Sequence, residues 1–184
     1  MKKVLRKAAL VLLLSLVVPC VFAQNYTTYA ESSNLNKQAI NKSGTIWLLS
    51  LDGSFSWNRA TERALQKAFE DKGFSVILTT DRIDISGMDN QSMELLKNEL
   101  NKTIFRYILT IRPEEIYTYT YGKGISRMEF AGEITDHFSG TNVMLFELST
   151  EADSNDMLSL NASRGPALAS MADAVVTEYM RYAR

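Results

Sequence analysis

Apolar and polar positions switch between a strand spacing and a helical spacing in the middle of the chain. Residues 45–51 are an almost unbroken apolar run, which predicts a strand buried on both faces. Residues 59–72 place their apolar side chains on one helical stripe, and Ser56 or Asn58 is positioned to cap that helix. Residues 74–80 return to strand character. Strand, helix and strand joined by short turns predict a βαβ unit, with parallel strands and a right-handed crossover.

Two further helices are predicted, one in the middle of the chain and one at its end. Residues 89–101 have helical spacing, with Met93, Leu96 and Leu100 on the inward side. Pro166 stands in the first turn of an amphipathic helix that runs to the carboxyl terminus, where its missing N–H is not needed. The chain therefore has one helix inside the βαβ unit and two outside it.

Between these two helices the pattern predicts strands joined by turn residues. The segments are 104–112, which Pro113 is expected to stop, 116–121, 125–135 and 142–149. Short connections of this kind are typical of an antiparallel meander. The order β-α-β-α-β-β-β-β-α predicts an α+β fold with a mixed sheet, a βαβ start, an antiparallel meander and helices packed mainly on one face.

The amino-terminal 23 residues have the three parts of a bacterial secretory signal peptide. Four basic residues precede an apolar run too short to span a bilayer comfortably, and Val21-Phe22-Ala23 favours a cleavage site over an uncleaved anchor. The predicted organisation is a signal peptide over residues 1–23, a polar, flexible lead-in over 24–43 and one domain over 44–184. We therefore expect an exported protein, in the periplasm or associated with the outer membrane.

Cys20, at the end of the apolar run, allows a second interpretation, in which it carries the lipid of a lipoprotein. Pro19 directly before it fits the extended peptide of a cleavage site poorly, and Val17 stands where a lipoprotein signal usually has Leu. Cleavage after Ala23 would remove Cys20 altogether. A soluble mature protein is the favoured expectation, and membrane attachment is expected only if Cys20 is lipidated.

Removal of the leader changes the charge of the chain. The whole sequence carries 20 Lys and Arg against 21 Asp and Glu, and the mature part keeps 16 of the basic residues, a net charge of −5. This acidic balance argues against a nucleic-acid partner and against adsorption to anionic lipid headgroups. The mature chain has no Cys and one His, which excludes thiol chemistry and leaves zinc without a set of ligands. No cofactor is predicted.

His137 is the single His, and it lies in a turn between Asp136 and Ser139. Neighbouring residues on one tight turn cannot easily converge on a reacting atom, because a triad is assembled from separated segments. A solvated turn residue is the simpler interpretation, and no catalytic residue is predicted elsewhere in the chain. The protein is accordingly expected not to be an enzyme.

Tyr117, Tyr119 and Tyr121 fall on one face of a predicted strand at period two. Such a row could form an exposed surface for stacking or for peptide binding. It could equally be the packed face of a sheet, because Tyr suits a half-buried strand. Packing is the commoner arrangement, and the exposed row is the one candidate interaction surface that the pattern offers.

Turn and cap motifs along the chain resemble those of a group of small bacterial envelope proteins. The helix ending in Lys72-Gly73-Phe74, the hairpin spacing Asp136-x-x-Ser139-Gly140 and the closing helix carry this likeness over most of residues 44–184. The chain is similar to envelope lipoproteins of unknown function whose fold resembles the TolB amino-terminal domain and the auxiliary lipoproteins of ABC transporters. It departs from them at Pro19 and at Leu145-Phe146, where a Trp is often found.

Two functions from different classes are consistent with this likeness. The resemblance implies an exported, non-catalytic binding or scaffolding domain that recruits an unidentified envelope protein, with the lead-in as a tether. The alternative is a small-molecule or lipid-binding periplasmic domain of a transport system. That function needs an apolar cavity lined by residues such as Met93, Phe105, Met128 and Met144, which are equally suited to filling a core. The oligomeric state is left open.

Overall fold

A computed structural model of the chain describes residues 26–35, 40–51, 54–84, 89–118, 125–152 and 164–183. Within these ranges the strands are β1 (Tyr26–Asn34), β2 (Ile46–Ser50), β3 (Val76–Leu78), β4 (Tyr107–Thr118), β5 (Ile125–Asp136) and β6 (Thr141–Ala152). The helices are α1 (Phe55–Glu70), α2 (Asn90–Lys102) and α3 (Arg164–Tyr182), and a 3-10 turn at Thr79–Asp81 follows β3. The predicted signal peptide over residues 1–23 lies outside the described residues.

The six described strands join one mixed sheet in the order β1-β6-β5-β4-β2-β3. β2 pairs in parallel with β3 and with β4, whereas β4, β5, β6 and β1 pair antiparallel in turn. The predicted α+β class, the parallel βαβ start and the antiparallel meander are therefore confirmed. Within the described ranges, none of the helices combines the length and the apolarity needed to cross a bilayer.

The βαβ unit forms where the spacing predicted it, but its helix starts earlier. Ser54 precedes α1, and its hydroxyl accepts a hydrogen bond from the backbone N–H of Trp57 at 3.4 Å. The predicted caps Ser56 and Asn58 therefore lie inside the helix, and Asn58 is buried. At the other end Gly73 has a φ of 83°, a left-handed conformation that Gly adopts without strain.

The segment predicted as a flexible lead-in contains a strand of the sheet. β1 pairs antiparallel with β6 along all nine of its residues. On its inward side the Thr28 hydroxyl lies 2.7 Å from the Ser170 hydroxyl, and Ser32 donates a hydrogen bond to Glu178 at 2.5 Å. Because hydroxyl groups stand where apolar side chains usually do, the sequence lacks the alternation by which a strand is recognised. Residues 26–34 belong to the domain, and the prediction was wrong there.

β4 continues through Pro113 to Thr118, so the two strands predicted on either side of Pro113 are one. The register with β5 shifts between Pro113 and Glu115, an irregularity of the kind that accommodates a residue without an N–H. Pro is tolerated at this point because β2 pairs with β4 only as far as Ile111. Beyond Ile111, β4 has one partner strand among the described residues.

The two faces of the sheet are buried by different helices. α1 and α3 pack against each other on one face, called here the core face. There Phe69, Phe74 and Tyr179 meet edge to face, with ring centroids 5.2, 5.3 and 5.7 Å apart. α2 covers part of the opposite face, called the outer face, where Leu96 joins a small cluster of Trp47, Leu49 and Phe105. The described helices thus lie mainly on one face, as predicted.

Fewer residues of α2 face the sheet than predicted. Leu96 is buried and Leu100 packs against the same outer-face cluster, but Met93 is 44% exposed. Met93 lies in the first turn of the helix, and α2 meets the sheet through the turns that follow. The prediction that Met93 faces inwards was therefore wrong, although its spacing matches that of the buried residues.

Candidate functional site

The described elements cover the outer face of the sheet only in part. α2 packs near β2, whereas further along the sheet the outward side chains Glu31 of β1 and Glu147 of β6 are exposed. A groove of about 560 Å³ lies on this open part of the face. Its volume is within the range of roughly 300 to 1,000 Å³ that is usual for ligand sites. We refer to it as the outer-face groove.

The floor of the outer-face groove consists of two rows of side chains that run across four strands. Successive partners on β1, β6, β5 and β4 form the first row, which is Glu31, Glu147, Ala131 and Arg112. The second row, in the same strand order, is Ser33, Leu145, Glu133 and Thr110. Neighbouring strands are about 4.8 Å apart. The groove therefore crosses the strands rather than following one of them.

Carboxylates dominate the charge of the outer-face groove. Glu31 and Glu147 stand directly opposite one another on neighbouring strands, an arrangement that like-charge repulsion makes unfavourable. Neither forms an ion pair with another described residue. Glu133, in the second row, accepts a hydrogen bond from the side-chain amide of Asn142 at 2.7 Å. Arg112 supplies the one cation of the described lining, so the surface is negatively charged and open to water.

Tyr117, the one described member of the predicted Tyr row, lies opposite Arg127 of β5. The guanidinium carbon of Arg127 is 5.8 Å from the centre of the Tyr117 ring, and the Tyr117 hydroxyl donates a hydrogen bond to Glu115. The side chain of Tyr117 is 44% exposed, which makes it accessible to a partner. Three other candidate residues lie outside the described part of the chain: Tyr119, Tyr121 and Cys20.

In the turn that holds His137, each polar side chain contacts different partners. Asp136 accepts hydrogen bonds from two backbone N–H groups of the turn, at 2.9 and 3.2 Å, and pairs with Arg106 at 2.5 Å. His137 is half-buried and packs its ring against Phe105, with the two centroids 4.3 Å apart. Ser139 shares a hydrogen bond of 2.8 Å with Thr141. These contacts do not link a base to an orienting carboxylate.

The four residues predicted to line an apolar cavity do not come together. Met128 and Met144 are fully buried in the core-face cluster, whereas Phe105 belongs to the outer-face cluster and Met93 is exposed. Residues that lie on opposite faces of one sheet cannot line a common cavity. That prediction was wrong. The four residues were grouped because their side chains are apolar, but the face of the sheet on which a strand residue lies depends on the strand registers.

Glu62 of α1 is a buried carboxylate that the candidate residues did not include. Its two oxygens accept hydrogen bonds from the backbone N–H and the hydroxyl of Thr80, at 2.9 and 2.8 Å, and from the backbone N–H of Ser50 at 3.2 Å. Burial raises the pKa of the Glu62 carboxyl above its usual value, and these hydrogen bonds oppose the shift. Glu62 shares the helical stripe of Leu65 and Phe69, and a charged residue on that stripe was the available signal.

The described chain is thus an α+β domain with an open-faced mixed sheet, and solved structures share this fold. A PelC dodecamer from Paraburkholderia phytofirmans superposes with a TM-score of 0.54 at 13% identity, covering 86% of this chain and 99% of that chain. A dodecamer of a PelC variant from the same bacterium, in another crystal form, gives 0.52 at 14% identity, covering 86% and 100%. Likeness at this level of identity concerns the fold. No protein-family model and no curated protein matches the chain.

Proposed function

We propose that this protein is an exported, non-catalytic scaffolding subunit of the bacterial envelope and that it works as a homo-oligomer. The observation that carries the proposal is the shared fold, because 99% of a PelC chain corresponds to this chain and that PelC forms a dodecamer. Chains that share a fold over 86% of this protein and 99% of that PelC have equivalent elements available to neighbouring copies. Closed homo-oligomers are also the most common assemblies of soluble proteins.

The envelope location in the proposal draws on the sequence. The leader over residues 1–23 has the pattern of a bacterial secretory signal. The resemblance to envelope lipoproteins related in fold to the TolB amino-terminal domain and to ABC-transport auxiliary lipoproteins supports the same location. The proposal includes that relationship, and a lipid at Cys20 would add a membrane anchor to it.

The outer-face groove supports a binding role rather than a catalytic one. Its described lining includes Ser32, Ser33 and Thr110. The Ser32 hydroxyl points to the core face, where it donates a hydrogen bond to Glu178, and no described hydrogen bond joins the hydroxyl of Ser33 or Thr110 to a carboxylate. A hydroxyl nucleophile needs an adjacent base within hydrogen-bond reach. The groove is instead a broad charged surface spread over four strands, which suits recognition of a complementary partner.

Small-molecule binding at the same groove is a second candidate, favoured by the groove volume of about 560 Å³. The lining would suit a small cation with an apolar part. The acyl chain of a lipid would instead lie against Glu31 and Glu147, and burying unpaired carboxylates under hydrocarbon is costly. The small-molecule part of the predicted alternative therefore remains as a candidate, and the groove does not favour the lipid part.

Cell fractionation of the natively expressed protein, followed by its intact mass, tests the envelope half of the proposal. We expect a mature chain that begins at Gln24 in the periplasmic fraction. A chain that begins at Cys20 and carries acyl groups in the membrane fraction would also support the envelope location and would add the anchor. Full-length chain retained in the cytoplasm would contradict the proposal.

Native mass spectrometry of the mature protein separates the two candidate functions. A scaffolding subunit is expected to appear as a homo-oligomer without a bound adduct. A small-molecule carrier is expected to appear as a single chain with an adduct that is lost on mild activation. The second result would favour small-molecule binding over the scaffold.

A further inference from the structure

We infer that the outer-face groove of one subunit receives the basic stripe of α1 from a second copy of this chain. The basic stripe is formed by Arg59, Arg63 and Lys67, at positions i, i+4 and i+8 of α1. The inference rests on the proposed homo-oligomer and names the two surfaces that meet in it.

The basic stripe faces away from the body of its own subunit. All three side chains are exposed, whereas Leu65 and Phe69 of the same helix are fully buried in the core. Successive cations are about 6 Å apart along the helix axis. No other described helix carries three cations at this spacing. The stripe is therefore the most regular cationic surface in the described part of the chain.

One member of the stripe has a partner already, and that partner is easily exchanged. Arg63 pairs with Asp81 at 2.8 Å, and both side chains are more than 40% exposed. Ion pairs in such positions contribute little to stability, since water competes for both groups. A carboxylate of a neighbouring subunit can therefore take the place of Asp81, or join it, at little cost.

The outer-face groove is complementary to the basic stripe in charge and in spacing. Its carboxylates are Glu31, Glu133 and Glu147, with Arg112 as the one cation of the described lining. Neighbouring strands place Glu31 and Glu147 about 5 Å apart across the sheet, close to the interval between the cations, and Glu133 is the diagonal neighbour of Glu147 at roughly 7–8 Å. A helix that lies obliquely across the strands can bring its three cations near Glu31, Glu147 and Glu133 in turn. It also relieves the repulsion between Glu31 and Glu147, which face each other and have no ion-pair partner among the described residues.

Apolar side chains on the same face can enlarge the contact. Tyr29 on β1 is 63% exposed and Leu145 on β6 is 38% exposed. Tyr29 is two residues from Glu31 along β1, and Leu145 lies in the second row of the groove. These aromatic and aliphatic side chains add apolar area to a contact whose centre is charged.

The two surfaces can meet only in a head-to-tail manner. In a two-fold symmetric contact each subunit would have to present both its groove and its stripe to the same partner at once. α1 lies on the core face and the groove lies on the outer face. Each subunit that donates its stripe therefore keeps its own groove free for the next copy. Repeated contacts of this type generate a ring when the rotation between subunits closes.

Charge reversal on each surface tests this assignment. One variant combines Glu31→Lys with Glu147→Lys, and the other combines Arg59→Glu with Lys67→Glu. We expect each variant alone to raise the concentration at half-assembly at least about a hundredfold, because like charges then face each other. An equimolar mixture of the two should assemble again, since the reversed groove accepts the reversed stripe. Sedimentation velocity on the full mature chain at low salt measures all three samples.

The matched control reverses two exposed carboxylates outside both surfaces, Glu94→Lys with Asp173→Lys, and is expected to assemble as the wild type does. Circular dichroism checks the fold of each variant. If a reversed variant is unfolded, the neutral pairs Glu31→Gln with Glu147→Gln and Arg59→Gln with Lys67→Gln replace it. They are expected to weaken assembly less and to remove most of its salt dependence.

The outcomes separate this inference from the proposed function. A wild type that stays a single chain at every concentration would overturn the homo-oligomer, and the inference with it. A wild type that assembles, with reversed variants that assemble equally well, would overturn only the assignment of the two surfaces. Reversed variants that dissociate but do not assemble when mixed would overturn the direct pairing of groove and stripe.

Discussion

At the scale of single residues, Glu62 connects the helix of the βαβ unit to both of its strands. Its carboxylate accepts hydrogen bonds from Ser50 at the end of β2 and from Thr80 just after β3. The residue is fully buried, so its removal would leave these donors without water to replace it. The position of α1, and with it the orientation of the basic stripe, depends on this contact.

Replacing Glu62 with Ala is expected to lower the free energy of unfolding by about 3 kcal/mol, because three buried donors lose their acceptor. Glu62→Gln keeps one acceptor oxygen in the same place and is expected to lose about half as much. Urea denaturation of both variants measures the difference. A loss below about 0.5 kcal/mol for the Ala variant would contradict the role given to Glu62.

The same residue predicts a pH dependence. Burial raises the pKa of Glu62 in the folded state above its ordinary value of 4.5. The stability linked to its protonation is therefore fully present below that ordinary value and is lost as the pH rises through the folded-state pKa. In that window the free energy of unfolding of the wild type is expected to fall relative to Glu62→Gln, which does not titrate. A difference in the free energy of unfolding between the wild type and Glu62→Gln that does not change with pH would contradict this prediction.

Gly132 on β5 marks a close approach that a side chain cannot share. A Cβ at this position would overlap the ring of Phe146 and lie 2.8 Å from the backbone oxygen of Thr110. We expect Gly132→Ala to lower the free energy of unfolding by about 1–3 kcal/mol through overpacking. Gly165→Ala in the first turn of α3, where nothing lies within 4 Å, is the matched control and should not destabilise. Equal melting temperatures for Gly132→Ala and Gly165→Ala would contradict this expectation.

At the scale of elements, β1 is the main difference between the predicted and the observed domain. It adds the edge strand that carries Glu31 and Ser33, and these residues complete the two rows of the outer-face groove. Without β1 the groove would lack a wall, and the segment before β2 would be only a tether. The binding role therefore requires that residues 26–34 form a strand of the sheet.

Hydrogen exchange tests β1 directly. Because β1 pairs with β6 over its whole length, we expect peptides that cover residues 26–34 to exchange much more slowly than an unfolded chain. Peptides from the middle of β5 provide the internal reference. Exchange of the whole 26–34 segment at the rate of an unstructured peptide would contradict the strand and support the predicted flexible lead-in.

The elements with a strong apolar period were predictable, and those without one were not. α1 follows from a helical stripe of apolar residues and β2 from an almost unbroken apolar run, and their bounds differ from the prediction by only a few positions. β1 was missed because Thr28 and Ser32 face inwards and bond to α3. β4 was divided at Pro113 because a sequence does not reveal that the partner strand β2 ends at Ile111.

The candidate site was less predictable than the fold. The two rows of the outer-face groove take two residues from each of four strands, one of which, β1, is far from the others in sequence, so the groove depends on the registers between those strands. A one-residue slip would move every one of these side chains to the other face. Glu31, Glu133 and Glu147 are ordinary acidic residues until the registers bring them together, and no local motif marks them.

At the scale of the whole molecule, acidic and basic surfaces occupy opposite faces of the sheet. The groove lies on the outer face, and the basic stripe lies on the solvent side of a helix on the core face. This polarity lets identical subunits attract one another in one orientation, and it disfavours the two-fold contact that is the commonest dimer. The small formal net charge of −1 for the whole chain does not reveal this separation.

Sedimentation velocity of the wild-type mature chain over a dilution series tests whether the protein is a homo-oligomeric scaffold. We expect a discrete species many times heavier than the single chain, which dissociates as salt rises and screens the contact between groove and stripe. A single-chain species at every protein concentration and at low salt would contradict it, and would leave small-molecule binding at the outer-face groove as the better explanation.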